Sequence, residues 1–363
     1  GEGEDDGSEV ANLNAMLEVR ATDAVKLVLS AQHVDAENDF DDFDFFETGL
    51  PTDEDRVTEA KRNYLRGLAS FDPKNSRWNG SFSINWLASD NQNFYDGVWD
   101  SSTAAESLEL RLRASVLLGN AQAGNHRLTF AIDRDDVDFA QRGIASPFGD
   151  PNQDQAYEVT GYAAEYVGKP LEGFSWTASG RLDQFSDFDD AFTWQLAASH
   201  RLTETFKVRG AAGTGAKAPT FSERYGFFPD FFLGNPNLKP EKSSGWELGF
   251  DAALADHRYR LSVVWFDRRL KDEIDGFVFD LDTFFFTAVN KAVDSKRHGL
   301  EFTLDGELIE ILSFSASYTW LDATEQDAAG NDVREIRRPR HMANLAANYR
   351  FADNRGHANL NVN

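Results

Sequence analysis

Apolar and polar residues exchange places at every second position almost from one end of this chain to the other, and nothing else in it limits the fold so strongly. In "SLELRLRASVLL" at 107–118, Leu108, Leu110, Leu112, Ala114, Val116 and Leu118 fall on one side, with Glu109, Arg111, Arg113 and Ser115 on the other. Successive side chains of a strand point to opposite faces, so such a strand has one greasy and one wet face; a helix would scatter both sets around its axis. The pattern returns in "WNGSFSINWLA", "FSWTASGRLD", "HRYRLSVVWF" and "LSFSASYTWL". Roughly 16 such segments of about 10 residues can be marked, the length with which a tilted strand crosses a hydrocarbon layer.

The connections between them alternate in length. Short ones fall near 21–25, 72–77, 120–125, 168–173, 201–204, 255–256, 307–310 and 352–356. Long ones fall near 36–58, 90–104, 136–155, 216–242, 280–285 (with flanks from 268 to 297) and 324–340; only the connection near 186–190 breaks the rule by being short. Short turns on one rim and long loops on the other suit an up-and-down transmembrane β-barrel. That orientation puts Trp78, Trp176, Tyr259 and Tyr349 near the inner rim of the membrane and Trp86, Trp246, Trp265 and Trp320 near the outer rim. Rings with an apolar body and a polar edge favour those two levels. Glu109, Arg111, Arg113, Arg181, Lys207, Arg209 and Glu247 would then line a wide, wet interior. A soluble propeller or sandwich would also alternate, with its apolar face turned to a core, but has no reason to sort its loops by length.

Composition narrows the partners. A formal net charge of −25 opposes nucleic acid, whose phosphates would be repelled. No apolar run is long enough for a spanning helix, which leaves a spanning barrel untouched. Without cysteine there is neither a disulfide scaffold nor a thiolate metal site. The opening "GEGEDDGSEV" has no basic or apolar leader, so any export signal is expected to be removed or to lie outside this sequence.

The stretch 214–250, "TGAKAPTFSERYGFFPDFFLGNPNLKPEKSSGWELGF", joins an upward strand to a downward one through a long loop. Pro219, Pro236 and Pro240 lack the N–H a ladder needs, so the backbone must leave the sheet there. The segment resembles the barrel signature of TonB-dependent outer-membrane receptors, G-x-K-A-P-T … Y-G … N-P-x-L-K-P-E-x-S … E-L-G. Lys217, Ala218, Pro219, Thr220, Asn235, Pro236, Leu238, Lys239, Pro240 and Glu241 carry the match, with Ala216 where an aromatic is common. "VNKAVDSKRHGLEFTLDGEL" and "RRPRHMANLAANYRF" resemble the family's later strands, so the likeness covers about the last half of the chain.

The resemblance implies an all-β antiparallel barrel of which residues 1–363 form one partial domain, about 16 of 22 strands, three missing before and three after. No plug-like α/β segment and no Ton box is seen in the sequence. It further implies active uptake of a scarce large solute, a ferric siderophore or a cobalamin-like molecule, in the bacterial outer membrane. The partners implied are outer-membrane lipid, the solute as a metal chelate, and the TonB complex acting through a plug. A passive porin or a surface β-barrel binding protein is the competing class, separable by a plug upstream or by ion conductance.

Within that frame, Phe227, Phe228, Phe231, Phe232, Phe284, Phe285 and Phe286 form aromatic clusters on two outer loops and are expected to contact solute. Packing between neighbouring loops, or contact with outer-leaflet lipid, would use the same residues. Asp35, Glu37, Asp39, Asp41, Asp42 and Asp44 offer the hard oxygens calcium takes, though without the spacing of an EF-hand, so the same residues favour a solvated acidic loop over a calcium site. The seven histidines are scattered without metal spacing, and neither a phosphate loop nor a nucleophile elbow is present, so no catalytic residue is assigned.

Overall fold

The computed structural model describes residues 7–43, 49–74, 76–118, 126–145, 149–228, 232–326, 331–351, 353 and 355–363. The chain opens with a run of hairpins: β1 (Ser8–Arg20), β2 (Val25–Phe43), β3 (Pro51–Phe71), β4 (Trp78–Tyr95), β5 (Val98–Leu118), β6 (His126–Gly143) and β7 (Gln153–Leu171). It continues through β8 (Phe174–Phe185), β9 (Ala191–Arg201) and β10 (Phe206–Lys217) to the only helix among the described residues, α1 (Phe221–Tyr225). Short β11 (Phe227–Phe228) and β12 (Phe232–Leu233) lead into β13 (Glu241–Leu254) and β14 (Tyr259–Lys271). After β15 (Ile274–Phe279) and β16 (Phe286–Asn290) come β17 (Ser295–Ile309), β18 (Leu312–Gln326), β19 (Asp332–Arg334), β20 (His341–Phe351) and β21 (Gly356–Val362).

One sheet holds seventeen strands. Sixteen follow one another as antiparallel neighbours in chain order, while β19 folds back on the end of β18; the count read from alternation stands. A second, four-stranded sheet, β11-β12-β16-β15, sits in the loops. Among the described residues β1 and β21 pair on one side only.

The greasy face is continuous across strands. Phe82 stands opposite Leu112, Leu112 opposite Ile132, and Ile132 opposite Tyr162, all exposed on one side of the wall. No second layer covers it: prolines aside, the buried apolar side chains among the described residues are Ala191, Phe232, Leu238, Ala252, Val264, Ala288 and Ala323. A sandwich or propeller would bury its leucine rows, so this face is built for oil rather than for a core. Aromatics bound the band as expected. On β4, Trp78 and Trp86 share the outward face, and the span between them matches the crossing length of about 9–11 residues. Trp265 and Trp320 flank His298 with ring centroids 6.2 Å apart, and Trp86 Nε1 donates to Glu106 at 2.6 Å. Trp194, which the sequence reading left unplaced, lies on the same outward face of β9.

The opposite face is polar. Arg181 reaches across Gly161 to Asp133 through two bonds of 2.8 and 2.7 Å and also binds Asp183. A Cβ at Gly161 would lie 2.1 Å from the guanidinium and would push it aside, so the missing side chain lets Arg181 lie across the strand in this geometry. Arg209 binds Asp251 at 3.3 Å and lies 3.6 Å from Glu247. These buried and half-buried ions sit on the lumen side, the face on which the sequence placed its charges.

Three expected loops are corrected. Most of 36–58, 90–104 and 136–155 is strand: β2 to β7 run 18–21 residues each, twice what a membrane needs. Above the bilayer both faces meet water, so alternation fades although the ladder goes on. β4 and β5 join through Asp96 and Gly97, at φ 50° and 68°, the Asp-Gly pair that a two-residue hairpin turn requires.

Candidate binding site at the mouth of the barrel

The loop between β10 and β13 folds onto the lumen side of the wall. Phe221 stacks on Phe139 at 5.1 Å and lies 5.2 Å from Tyr157, two residues on the inward faces of β6 and β7. Gln153 donates to the Tyr225 carbonyl. Thr220 caps the helix and Glu223 returns a bond to the Thr220 N–H, a complete capping box. Arg224 is 8% exposed, with its guanidinium over the Phe188 and Tyr225 rings at 4.4 and 4.6 Å and 3.2 Å from Asp187.

The signature residues hold this loop to the next one. Lys217 pairs with Glu241 at 3.2 Å across the top of β10 and β13. Glu241 accepts from the Ile274 N–H at 2.7 Å, and Asn235 donates to the Ala288 carbonyl at 3.0 Å. Asn290 bonds both the N–H and the carbonyl of Lys239. Leu238, 4% exposed, closes a small core with Phe232 and Ala288, against which Ile274 and Phe286 pack. Pro219 and Pro240 are buried and Pro236 is exposed. Ala218 is half-buried beside them. These contacts make the signature a clamp between loops.

An ionic network pins the same loops to the wall. Arg297 on β17 binds Glu335 at 2.5 and 2.9 Å and Glu273 at 2.8 Å. Lys291 binds Glu325 at 2.6 Å and lies 3.7 Å from Glu273, which also accepts from Ser295 at 2.5 Å. Burial opposes ionisation of Glu273, but the Ser295 hydroxyl and the charges of Arg297 and Lys291 outweigh it and hold its carboxyl below the usual range. Burial likewise works against the Lys291 charge, and its bond to Glu325 with the charge of Glu273 overcomes this and raises it. Below the loops, the inner wall leaves a concavity of about 900 Å³ floored by small residues such as Ala131, Ala163, Gly213 and Gly245 and bordered by Arg113, Arg268 and Glu165.

The expected aromatic contacts divide. Phe228 and Phe284 are exposed; Phe285 and Phe286 are half-buried. Phe232 is 7% exposed and belongs to the loop core, so it is corrected from contact residue to packing residue. The backbone of Phe227 pairs with Leu233, and Phe231 lies outside the described residues. Sequence reasoning missed Phe277 and Phe279, both exposed, the first stacked on Phe286 at 4.1 Å and the second meeting it edge-on at 5.4 Å; their alternation in "FVF" was the available signal.

The acidic stretch is also corrected. Asp35, Glu37 and Asp39 lie on strand β2, paired with Lys61, Glu59 and Val57, and so are strung along a ladder rather than gathered in a loop. Asp41 is exposed further along β2, Asp42 pairs with Thr52 through the backbone, and Asp44 lies outside the described residues. Among the described residues no three carboxylates or histidines gather as metal ligands.

Comparison with known proteins agrees with this architecture. The family described as TonB dependent receptor-like, beta-barrel matches residues 96–362. A vitamin B12 transporter from Photobacterium profundum is 25% identical over 354 residues, covering 96% of this chain and 53% of the transporter. The siderophore receptor PirA from Acinetobacter baumannii superposes with a TM-score of 0.75 at 16% identity, over 96% of this chain and 57% of the receptor. A mutant ferric enterobactin receptor from Pseudomonas aeruginosa gives 0.74 at 15% identity, over 94% and 55%. The chain thus spans about half the length of the relatives it matches.

Proposed function

Since the chain belongs to the TonB-dependent receptor β-barrel family and its wall sits in the bacterial outer membrane, we propose that residues 1–363 form part of the barrel domain of an energised receptor. The receptor captures a scarce large solute, a ferric siderophore or a cobalamin-like molecule. It releases that solute inward when the TonB complex acts on a plug inside the barrel. The observation that carries this reading is the clamped loop pair folded over a wide polar lumen: α1 rests on the inner wall, and the signature residues tie its loop to 272–294. A pore for free diffusion gains nothing from such loops, whereas tight capture needs ordered ones, and tight capture then needs work for release.

Uptake of labelled ferric siderophores and vitamin B12 by cells carrying the full-length protein tests the reading. Uptake should stop when the proton-motive force is collapsed, and the purified protein should show no steady conductance in planar bilayers. Uptake that continues in de-energised cells, together with open-channel conductance, would establish a passive porin instead.

A further inference from the structure

Above its outer aromatic level the outward face of the wall is divided by charge. On β4 to β7 it carries Asp90, Glu106, Asp138, Asp154 and Glu158, with Trp86 Nε1 bonded to Glu106. On β13, β14 and β17 it carries cations, in a chain whose net charge is −25. The register runs on without a shift above Trp246 and Trp265, so that Arg269 stands opposite Lys296 and Lys242 opposite Lys271. The alternate residues Arg268, Leu270 and Arg297 border the lumen concavity, which turns these four cations to the membrane side. All four are exposed. Side chains directly opposite in a ladder lie about 5 Å apart, and like charges placed so repel.

The fold offsets little of that repulsion. Lys271 lies 3.9 Å from Asp294, while Lys242, Arg269 and Lys296 meet no carboxylate at ion-pair distance among the described residues. Asp322 is held by Arg340 at 3.4 Å and faces His298 at 3.7 Å; Asp267 lies one step lower on β14, opposite His298. Beyond Lys296 the row runs through Thr324 to another cation, Arg334. Two like-charged pairs stacked on one bare face are a cost that an anion seated between them removes. Their height says which anion. Arg269 and Lys296 stand four residues above the row of Trp265 and Leu300, about 13 Å along a tilted strand, and long basic side chains place their charge in the polar layer that borders the oil. Beneath them the same face offers Leu248, Trp265, Leu300 and Trp320. A free anion would use the cations alone, whereas a lipid uses both levels.

We propose that Lys242, Arg269, Lys271 and Lys296 seat the phosphate of an anionic lipid of the outer leaflet, whose chains lie on the leucine and tryptophan row beneath. This rests on the place of the wall in the membrane and not on the receptor reading. Native mass spectrometry of the full-length protein in a neutral detergent, titrated with diphosphoryl lipid A, tests it. At least one lipid should be retained per protein. R269Q/K296Q should weaken retention at least tenfold and K242Q/K271Q at least threefold, with heat-modifiable gel migration kept; Arg269→Gln alone serves should a pair fail to fold. Lys61→Gln, opposite Asp90 in the acidic sector, should change retention less than twofold. Melting separates a seat from a merely structural role: Lys296→Gln relieves repulsion, so it should shift unfolding upward in detergent alone and downward once lipid A is bound. No retention, equal retention by all variants, or a shift of the same sign in both media overturns the proposal. Inorganic phosphate that displaces the lipid at equal concentration overturns it in favour of a free anion, and a dephosphorylated lipid that binds as tightly does so in favour of an acyl-chain contact.

Discussion

Glu273 shows how one side chain can couple the loops to the wall. It receives Ser295 and Arg297 from β17 and lies near Lys291, so three donors from two sides of the loop converge on one carboxylate. Removing its charge by Glu273→Gln leaves Arg297 with Glu335 and Lys291 with Glu325, and should therefore cost about 1–3 kcal/mol of loop stability rather than the full cost of an orphaned ion. The pH dependence has a definite sign. Because the folded carboxyl titrates below its unfolded value, its contribution is complete above the unfolded value, about 4.3, and is lost as pH falls through the lower folded one. Lys291 is raised, so its contribution is complete below about 10.4 and fades only as pH rises beyond. Hydrogen exchange at 272–294, corrected for intrinsic rate, should show constant protection between pH 5 and 9 and a loss in acid that Glu273→Gln makes smaller. Protection that changes near neutrality would contradict this assignment.

At the scale of elements, α1 is too short to persist by propensity and is held by its cap and its stacking. Thr220→Ala removes the bond to the Glu223 N–H and should cost about 1 kcal/mol, which raises amide exchange across 221–240 roughly fivefold and leaves the barrel's melting unchanged. Exchange that does not move would mean that the Phe221 stack alone sets the helix. What the sequence disclosed about elements follows the solvent each one meets. Where one face touches oil and the other water, as in 107–118, alternation is forced and the strands were legible to within a few residues. Above the membrane that contrast is gone, and "SDNQNFYDGVWDSS" reads as loop although Asp96-Gly97 in it is a hairpin turn. The candidate site divides in the same way. The exposure of Phe284 was legible because an aromatic run in a polar loop is conspicuous; the burial of Phe232 was not, because it depends on a parallel bridge to Phe286, more than fifty residues away.

The whole molecule behaves as a wall between two solvents, and that predicts opposite tolerances at adjacent positions. Leu112 and Arg113 are neighbours in sequence on opposite faces of β5: Leu112 lies in the row with Phe82 and Ile132, midway between the aromatic levels of β4, and Arg113 borders the lumen concavity. An arginine at 112 would bring its charge into hydrocarbon, at a cost of about 2–4 kcal/mol near the midplane. Arg113→Ser exchanges one wet group for another at an exposed position and should fall within about 0.5 kcal/mol. A soluble sheet would also penalise Leu112→Arg if that row were packed on a second layer, but it would do so equally in detergent and in bilayers. For a membrane wall the penalty should grow with the thickness of the hydrocarbon, because a thin bilayer or a detergent belt lets the guanidinium reach water. Reversible folding of the full-length protein into vesicles of short-chain and long-chain lipids measures this. A penalty for Leu112→Arg that is the same in both lipids, or one matched by Arg113→Ser, would mean that the leucine row does not face the bilayer.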